Sequence, residues 1–168
     1  MEAEVDGGDN FKFKVYALHP PNPTEEETSR ERDGDLLSVA KSIRNDKDIP
    51  TVAIGDFNCV AWAGASRLFV KTSELTDPRV GRGFISTFHA KYKLLRFPID
   101  QVYHSPDIFV KDLKTLANVD SDHLPFLFRF VIDPQNSSQE DLVESAEHAD
   151  LVKVEEKIEE GKEETSER

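Results

Sequence analysis

Four short segments carry side chains able to act as acids, bases or hydrogen-bond donors, and each adjoins strand-like sequence. His19 follows one strand-like segment, and Asp56 and Asn58 follow a second. Asp100 lies near the start of a third, and His123 precedes the last. The backbone at a strand end is held by the sheet while the side chain is free to face a cleft. The spacing therefore predicts that these side chains meet at one sheet edge.

The segment Gly55-Asp56-Phe57-Asn58 offers a complete set of groups for work on a phosphoryl centre. Glycine permits close backbone approach. The Asp56 carboxylate is suited to orient or deprotonate a water, and the Asn58 amide to donate to a phosphoryl oxygen. The same residue types also favour turns, so a purely structural turn stays open as the alternative.

Asp100 lies among apolar neighbours, where an unpaired carboxylate is costly. We predict that the imidazole of His123 is its partner, at about 3 Å. Asp122 and His123 are adjacent, so on extended backbone their side chains diverge. His19 precedes a proline-rich loop and is a candidate phosphate contact. The alternatives are an exposed strand position for Asp100 and surface positions for the two histidines.

Residues 78–99 contain five basic residues and no acidic one, interleaved with aromatic residues. Such a segment is typical of a loop that binds a phosphate backbone or an anionic headgroup, and the sequence does not decide between them. An ordinary long loop is the alternative. The predicted substrate-binding residues are Arg79, Arg82, Lys91 and Arg96.

The elements that must position these groups follow from hydrophobic spacing. Strands are predicted over 11–18, 51–54, 98–104, 108–117 and 124–132. Helices are predicted between residues 24 and 43 and over 62–71. This order predicts an α/β fold of the α+β kind, with a mixed, mostly antiparallel sheet covered by helices on one face.

The chain has a net charge of -12, and the segment 133–168 alone carries 13 acidic against 4 basic residues. We expect residues 1–10 to be disordered and 134–168 to be an acidic, partly helical tail that is dispensable for the fold; a partner-binding helix is the alternative. No apolar run has transmembrane length, and no signal-peptide pattern precedes the domain, so a cytoplasmic chain is expected. Cys59 is expected to be a packing residue.

The motifs HPPNP at 19–23, GDFN at 55–58, PIDQ at 98–101 and SDH at 121–123 resemble, in order and spacing, those of the endonuclease/exonuclease/phosphatase superfamily. The resemblance implies a metal-dependent hydrolase of phosphate esters, with Mg²⁺ or Mn²⁺ as cofactor. It assigns catalytic roles to His19, Asp56, Asn58, Asp100 and His123, and a metal-site role to Asp122. The calcineurin-like phosphoesterases, which also use a Gly-Asp motif, need a downstream Gly-Asn-His block that this sequence lacks.

Residues 11–133 match only the C-terminal half of that superfamily's four-layer α/β sandwich. The first half would supply a metal-binding Glu, which residues 1–10 do not contain in a recognisable motif. The resemblance therefore implies a weakly held cation, impaired hydrolysis by the isolated chain, and an N-terminal half acting in trans. A non-catalytic fragment, or half of a split assembly that serves as a binding module, is the alternative.

Overall fold

The computed structural model describes residues 1–8 and 11–166 as a mixed α+β fold. Besides two single-turn 3₁₀-helices, Lys93–Leu95 and Glu140–Leu142, the regular structure within those residues consists of three α-helices and six strands. In chain order they are β1 (Glu2–Gly8), β2 (Phe11–Leu18), α1 (Glu26–Asn45), β3 (Thr51–Asp56), α2 (Gly64–Ser73), β4 (Asp100–His104), β5 (Ile108–Thr115), β6 (Phe126–Ile132) and α3 (His148–Ser166). Each predicted strand and helix is present, with ends displaced by a few residues.

The main sheet has four strands in the order β1-β2-β3-β4. The pairs β1/β2 and β3/β4 are antiparallel, whereas β2/β3 is parallel because α1 makes the crossover between them. Strands β5 and β6 form a separate antiparallel hairpin. The predicted mixed, mostly antiparallel sheet is therefore confirmed.

The two faces of the sheet pack against different partners. On one face, Tyr16, Ala53 and Tyr103 join buried residues of α1 and α2, so helices cover this face as predicted. On the other face, Val52 and Val102 pack against the apolar side of the β5–β6 hairpin. Alternate residues of β6 share one side of the strand, and Phe126, Phe128 and Phe130 all pack there.

The prediction that residues 1–10 are disordered is wrong for residues 2–8, which form β1. Its register with β2 places Val5 opposite Phe13 and Glu4 opposite Lys14, and Lys12 makes an ion pair with Glu4 at 2.5 Å. The strand forms because the edge of β2 supplies backbone hydrogen-bond partners, which composition does not reveal. Residues 9 and 10 lie outside the described residues.

The predicted acidic tail is partly helical, as expected, but the further expectation that it is a solvated extension is wrong for α3, which docks along α1. Val154 and Ile158 are buried with Leu37. The two helices approach most closely at Gly34 and Gly161, where a Cβ on Gly161 would lie 3.1 Å from the Gly34 Cα. A thin apolar stripe suffices here because the glycines let the helix backbones come into contact. None of the described helices has the length and apolar character needed to cross a membrane.

Candidate active site

The predicted site residues converge on one edge of the main sheet because of how β2, β3 and β4 are paired. The parallel register aligns Leu18 with Gly55, so His19 and Asp56 leave the sheet at the same end. Strand β4 runs the opposite way, and its first residue, Asp100, lies directly opposite Asp56. Cross-strand neighbours share a face, so both carboxylates lie on the face that carries the hairpin.

Gly55 allows β2 and β3 to come together just before the site. Its φ is +150°, and a Cβ at this position would lie 1.9 Å from the carbonyl oxygen of Leu18. No other residue can occupy this position without moving one of the strands. The glycine therefore sets the separation between the His19 loop and Asp56.

The predicted Asp100–His123 pair is confirmed. His123 Nδ1 donates to Asp100 Oδ2 at 2.8 Å, and His123 Nε2 lies 3.8 Å from Asp56 Oδ2. The imidazole packs against the Phe88 ring, with 4.9 Å between ring centroids. A carboxylate on Nδ1 orients the ring and places a proton on that nitrogen, leaving Nε2 directed toward Asp56.

Asn58 joins three parts of the site through separate hydrogen bonds. Its backbone N–H donates to Asp56 Oδ1 at 2.8 Å, and its Nδ2 donates to the Pro20 carbonyl at 2.9 Å. Its own carbonyl accepts from Arg32 Nη1 at 3.1 Å. Asn58 has a φ of +50°, which is uncommon for a residue with a side chain. The turn is thus both structural and a means of holding the Asp56 carboxylate.

Negative charge is concentrated around Asp56. Burial raises the pKa of the Asp56 carboxyl above its ordinary value, and the nearby Asp100 carboxylate adds to this, while the N–H of Asn58 acts in the opposite direction. Single ligand atoms of Asp56, Asp100 and His123 all lie within 4.8 Å of one another. Such a group is able to hold a divalent cation. Asp122 does not belong to it, so its predicted metal role remains a prediction.

These residues open into a cavity of about 590 Å³. The predicted residues among its lining are His19, Asp56, Asn58, Asp122 and His123, and the remaining lining residues are Asn22, Cys59, Val60, Phe88, Phe97 and Ile99. Asp122 is exposed, and its carbonyl accepts the N–H of Ala90 at 2.6 Å. That bond ties the 121–123 turn to the loop before β4. Cys59 itself is buried in the core, as expected of a packing residue.

The sequence profile described as the endonuclease/exonuclease/phosphatase family matches residues 2–123. The chain belongs to this family. No match was found among curated protein sequences. Solved structures share the fold of this chain at low sequence identity.

Three of these structures illustrate the likeness. A family member from Bacteroides vulgatus has a TM-score of 0.61 at 23% identity over 79% of this chain and 54% of its own. A family member from Beutenbergia cavernae has a TM-score of 0.63 at 20% identity, over 79% of this chain and 39% of its own. The human Nocturnin catalytic domain has a TM-score of 0.57 at 22% identity, over 78% of this chain and 52% of its own. The chain thus spans 39% to 54% of the length of these structures.

Within this family fold, the four predicted substrate-binding residues lie outside the lining of the cavity. The Arg79 guanidinium is paired with Asp77 at 2.7 Å and donates to the Tyr103 hydroxyl at 3.2 Å. Substrate binding by Arg79 stays a prediction, although the Asp77 carboxylate already engages its side chain. Arg82 donates to the Pro78 carbonyl, at 2.9 Å.

Arg96 and Lys91 also lie outside the lining of the cavity. Arg96 donates to the Ala90 carbonyl at 2.7 Å and, with Lys93, lines a separate depression of about 540 Å³ beside Phe84. Lys91 is exposed. Substrate binding by Arg82, Lys91 and Arg96 stays a prediction. From the 78–99 segment, the residues that line the cavity are Phe88, Phe97 and Ile99.

Sequence reasoning missed Arg32, which supports the site from α1. Its side chain is largely buried, yet nothing in its local sequence marks it as functional. The available signal was indirect: Asp33 and Gly34 interrupt the apolar stripe of a helix at positions that the fold buries. A charged residue on the buried side of a helix requires a partner.

Proposed function

We propose that the chain hydrolyses phosphate esters by attack of a water held at the Asp56 end of the cavity. The observation that carries this proposal is the position of His123, whose Nδ1 is held by Asp100 at 2.8 Å while Nε2 is directed toward Asp56. A histidine with one nitrogen fixed by a carboxylate and the other facing a cleft is suited to transfer a proton during catalysis. Family membership supports the same reaction class.

Each remaining side chain has a role that its position favours. Asp56 accepts a hydrogen bond from the water and orients it. Asn58 offers a second amide hydrogen beyond the one given to Pro20, and so can contact a phosphoryl oxygen. His19 lines the cavity on the β2 side, where its ring can donate to the phosphate. His123 contacts the phosphate or its leaving oxygen.

Asp56 and Asp122 both line the cavity, and we propose them as the carboxylates that would hold a divalent cation. Asp100 is engaged with His123, and imidazole nitrogen is a poor ligand for Mg²⁺, which prefers oxygen. The raised pKa of Asp56 reflects a buried carboxylate close to another carboxylate, an environment that a cation improves. When bound, Mg²⁺ or Mn²⁺ would stabilise the negative charge that develops on the phosphoryl oxygens.

Two carboxylates are few for Mg²⁺, so we propose that the chain alone holds it weakly and turns over slowly. Losing about 4 kcal/mol of charge stabilisation would slow hydrolysis roughly a thousandfold. A further carboxylate from the family's N-terminal half, acting in trans, would strengthen binding. The substrate is a nucleic acid or an ester with an anionic headgroup.

The test is hydrolysis of a chromogenic phosphodiester in millimolar Mg²⁺, with His123→Ala and Asp56→Asn as test variants. His148→Ala is the matched control because His148 is exposed on α3, outside the cavity. We expect loss of about 10²-fold or more in the test variants and none in the control. Equal activity in His123→Ala, Asp56→Asn and His148→Ala would contradict the proposal. Phosphate binding without turnover would favour the binding module.

A further inference from the structure

The turn at Asn58 is connected to the C-terminal helix by a chain of buried polar contacts. Asn58 has a positive φ, a backbone conformation that residues other than glycine rarely adopt. Such a conformation persists only where the surrounding structure stabilises it. One of the stabilising contacts comes from outside the sheet edge: Arg32, on α1, donates to the Asn58 carbonyl at 3.1 Å. The position of Arg32 therefore affects the turn that holds Asp56.

Arg32 is itself held by Asp33. Its Nε and Nη2 lie 3.0 and 2.5 Å from Asp33 Oδ1, and the Asp33 side chain is only 12% exposed. A buried carboxylate is costly unless its charge is compensated. The second oxygen of Asp33 accepts from Lys157 Nζ, on α3, at 2.8 Å. Each oxygen of Asp33 is thus paired with a cation from a different helix.

The spacing between α1 and α3 makes the Lys157 contact possible. At the adjacent Gly161, a Cβ would lie 3.0 Å from the Arg30 carbonyl oxygen and 3.1 Å from the Gly34 Cα. These distances are tighter than side-chain carbons normally tolerate, so the two glycines define the closest approach of the helices. Lys157 lies one turn before Gly161 and is therefore held within reach of Asp33.

We propose that Lys157 is a positioning residue of the active site, acting through Asp33 and Arg32 on the Asn58 turn. The C-terminal helix, which lies outside the family match over 2–123, thereby contributes to the geometry of Asp56. This inference rests on the proposed function for its catalytic consequence. The structural coupling itself can be measured without turnover.

The first test records the backbone amide resonance of Asn58 and its hydrogen-exchange protection. Lys157→Met removes the contact with Asp33, and we expect the resonance to shift and the protection to fall. Lys162→Met is the matched control, because Lys162 is on the same helix and its ion pair is with Glu159, at 2.7 Å. Lys157→Arg, which keeps a cationic donor, is expected to restore the wild-type values.

Methyl resonances of Val154 and Ile158 report in the same samples whether α3 remains docked. An unchanged Asn58 amide in Lys157→Met overturns the proposal. If Lys157→Met detaches α3, the same resonances are recorded for Lys157→Gln. This variant keeps a hydrogen-bond donor for Asp33 and removes the positive charge. A wild-type Asn58 amide in a docked Lys157→Gln protein would then overturn it.

The second test measures phosphodiester hydrolysis with the same variants. We expect Lys157→Met to lower kcat by about 2- to 30-fold, the usual range for coupling through a contact network, with KM unchanged. Lys162→Met is expected to match the wild type. A fall in KM and kcat together, or an equal effect of Lys162→Met, would contradict positioning. If the wild type does not hydrolyse the ester, the proposed function fails. The coupling between Lys157 and the Asn58 turn is then tested by the Asn58 amide measurements alone.

Discussion

At the scale of single residues, the site depends on a few positions where alternatives are sterically or electrostatically excluded. Gly55 is one, because it lies against the Leu18 carbonyl. Asp100 is another: its side chain is 16% exposed and its partner His123 comes from a different strand connection. At such positions the geometry of the site depends on one residue type. The effect of a substitution is therefore expected to follow from the atoms that it displaces or leaves without a partner.

We predict that Gly55→Ala lowers the free energy of unfolding by about 3 kcal/mol or more, because the new Cβ would overlap the Leu18 carbonyl and the φ is unfavourable. Gly64→Ala is the control, since a Cβ there meets nothing within 4 Å. It opens α2 and is expected to be neutral or to stabilise by about 0.5 kcal/mol. Urea denaturation measures both, and similar midpoints for the two variants would contradict the argument.

His104 makes the fold sensitive to acid. Burial lowers the pKa of His104 below its ordinary value of about 6.5, although the Ser105 carbonyl, which its Nδ1 contacts at 2.8 Å, acts in the opposite direction. The unfolded chain therefore takes up this proton at a higher pH than the folded one. Stability from neutral His104 is complete above about pH 6.5 and is lost as the pH falls toward the lowered value.

We predict that the free energy of unfolding falls as the pH is lowered below about 6.5, and that His104→Gln flattens this dependence, because glutamine does not titrate. Urea denaturation at a series of pH values provides the measurement. His148→Gln, at an exposed position, is expected to keep the wild-type slope. An unchanged slope in His104→Gln would show that other groups are responsible.

At the scale of elements, α3 is the clearest departure from expectation. Charge and low apolar content favoured a solvated tail, whereas the helix packs on α1 through Val154 and Ile158. Ion pairs surround this contact: Arg30 with Glu164 at 2.8 Å and Lys41 with Glu155 at 2.5 Å. These exposed pairs contribute little each, so the apolar contact and the close glycine approach account for the docking.

We predict that Val154→Ala lowers the free energy of unfolding by about 2 kcal/mol, because two buried methyl groups are removed. Val152→Ala is the matched control: it is the same change on the same helix, at a residue that is 44% exposed. Its effect is expected to lie within about 0.5 kcal/mol. Equal effects would mean that α3 does not dock in solution.

At the scale of the whole molecule, net charge and local charge differ. The chain carries -12 overall, while residues 78–99 carry five basic residues and no acidic one. The net negative charge therefore repels an anionic ester. At moderate salt this repulsion is screened beyond a Debye length of about 10 Å.

We predict that kcat/KM for a nucleic acid substrate rises as ionic strength increases from about 20 to about 200 mM at constant Mg²⁺, because salt screens the repulsion. A small monoanionic phosphodiester is the control and is expected to respond less, since its charge is lower. A steep fall for the nucleic acid would instead indicate that the basic loop dominates association.

The sequence by itself determined the family and the order of the elements, and it predicted which side chains meet at the cavity, because motif spacing and hydrophobic periodicity are local properties. It also anticipated the Asp100–His123 pair, since a carboxylate among apolar neighbours needs a partner. Only the tertiary structure decided that the predicted substrate-binding residues lie outside the cavity lining, that residues 2–8 form a strand, and that α3 docks. Those outcomes depend on long-range contacts: Arg79 is captured by Asp77, the β2 edge supplies the ladder for β1, and Gly161 fits Gly34 only once both helices are in place.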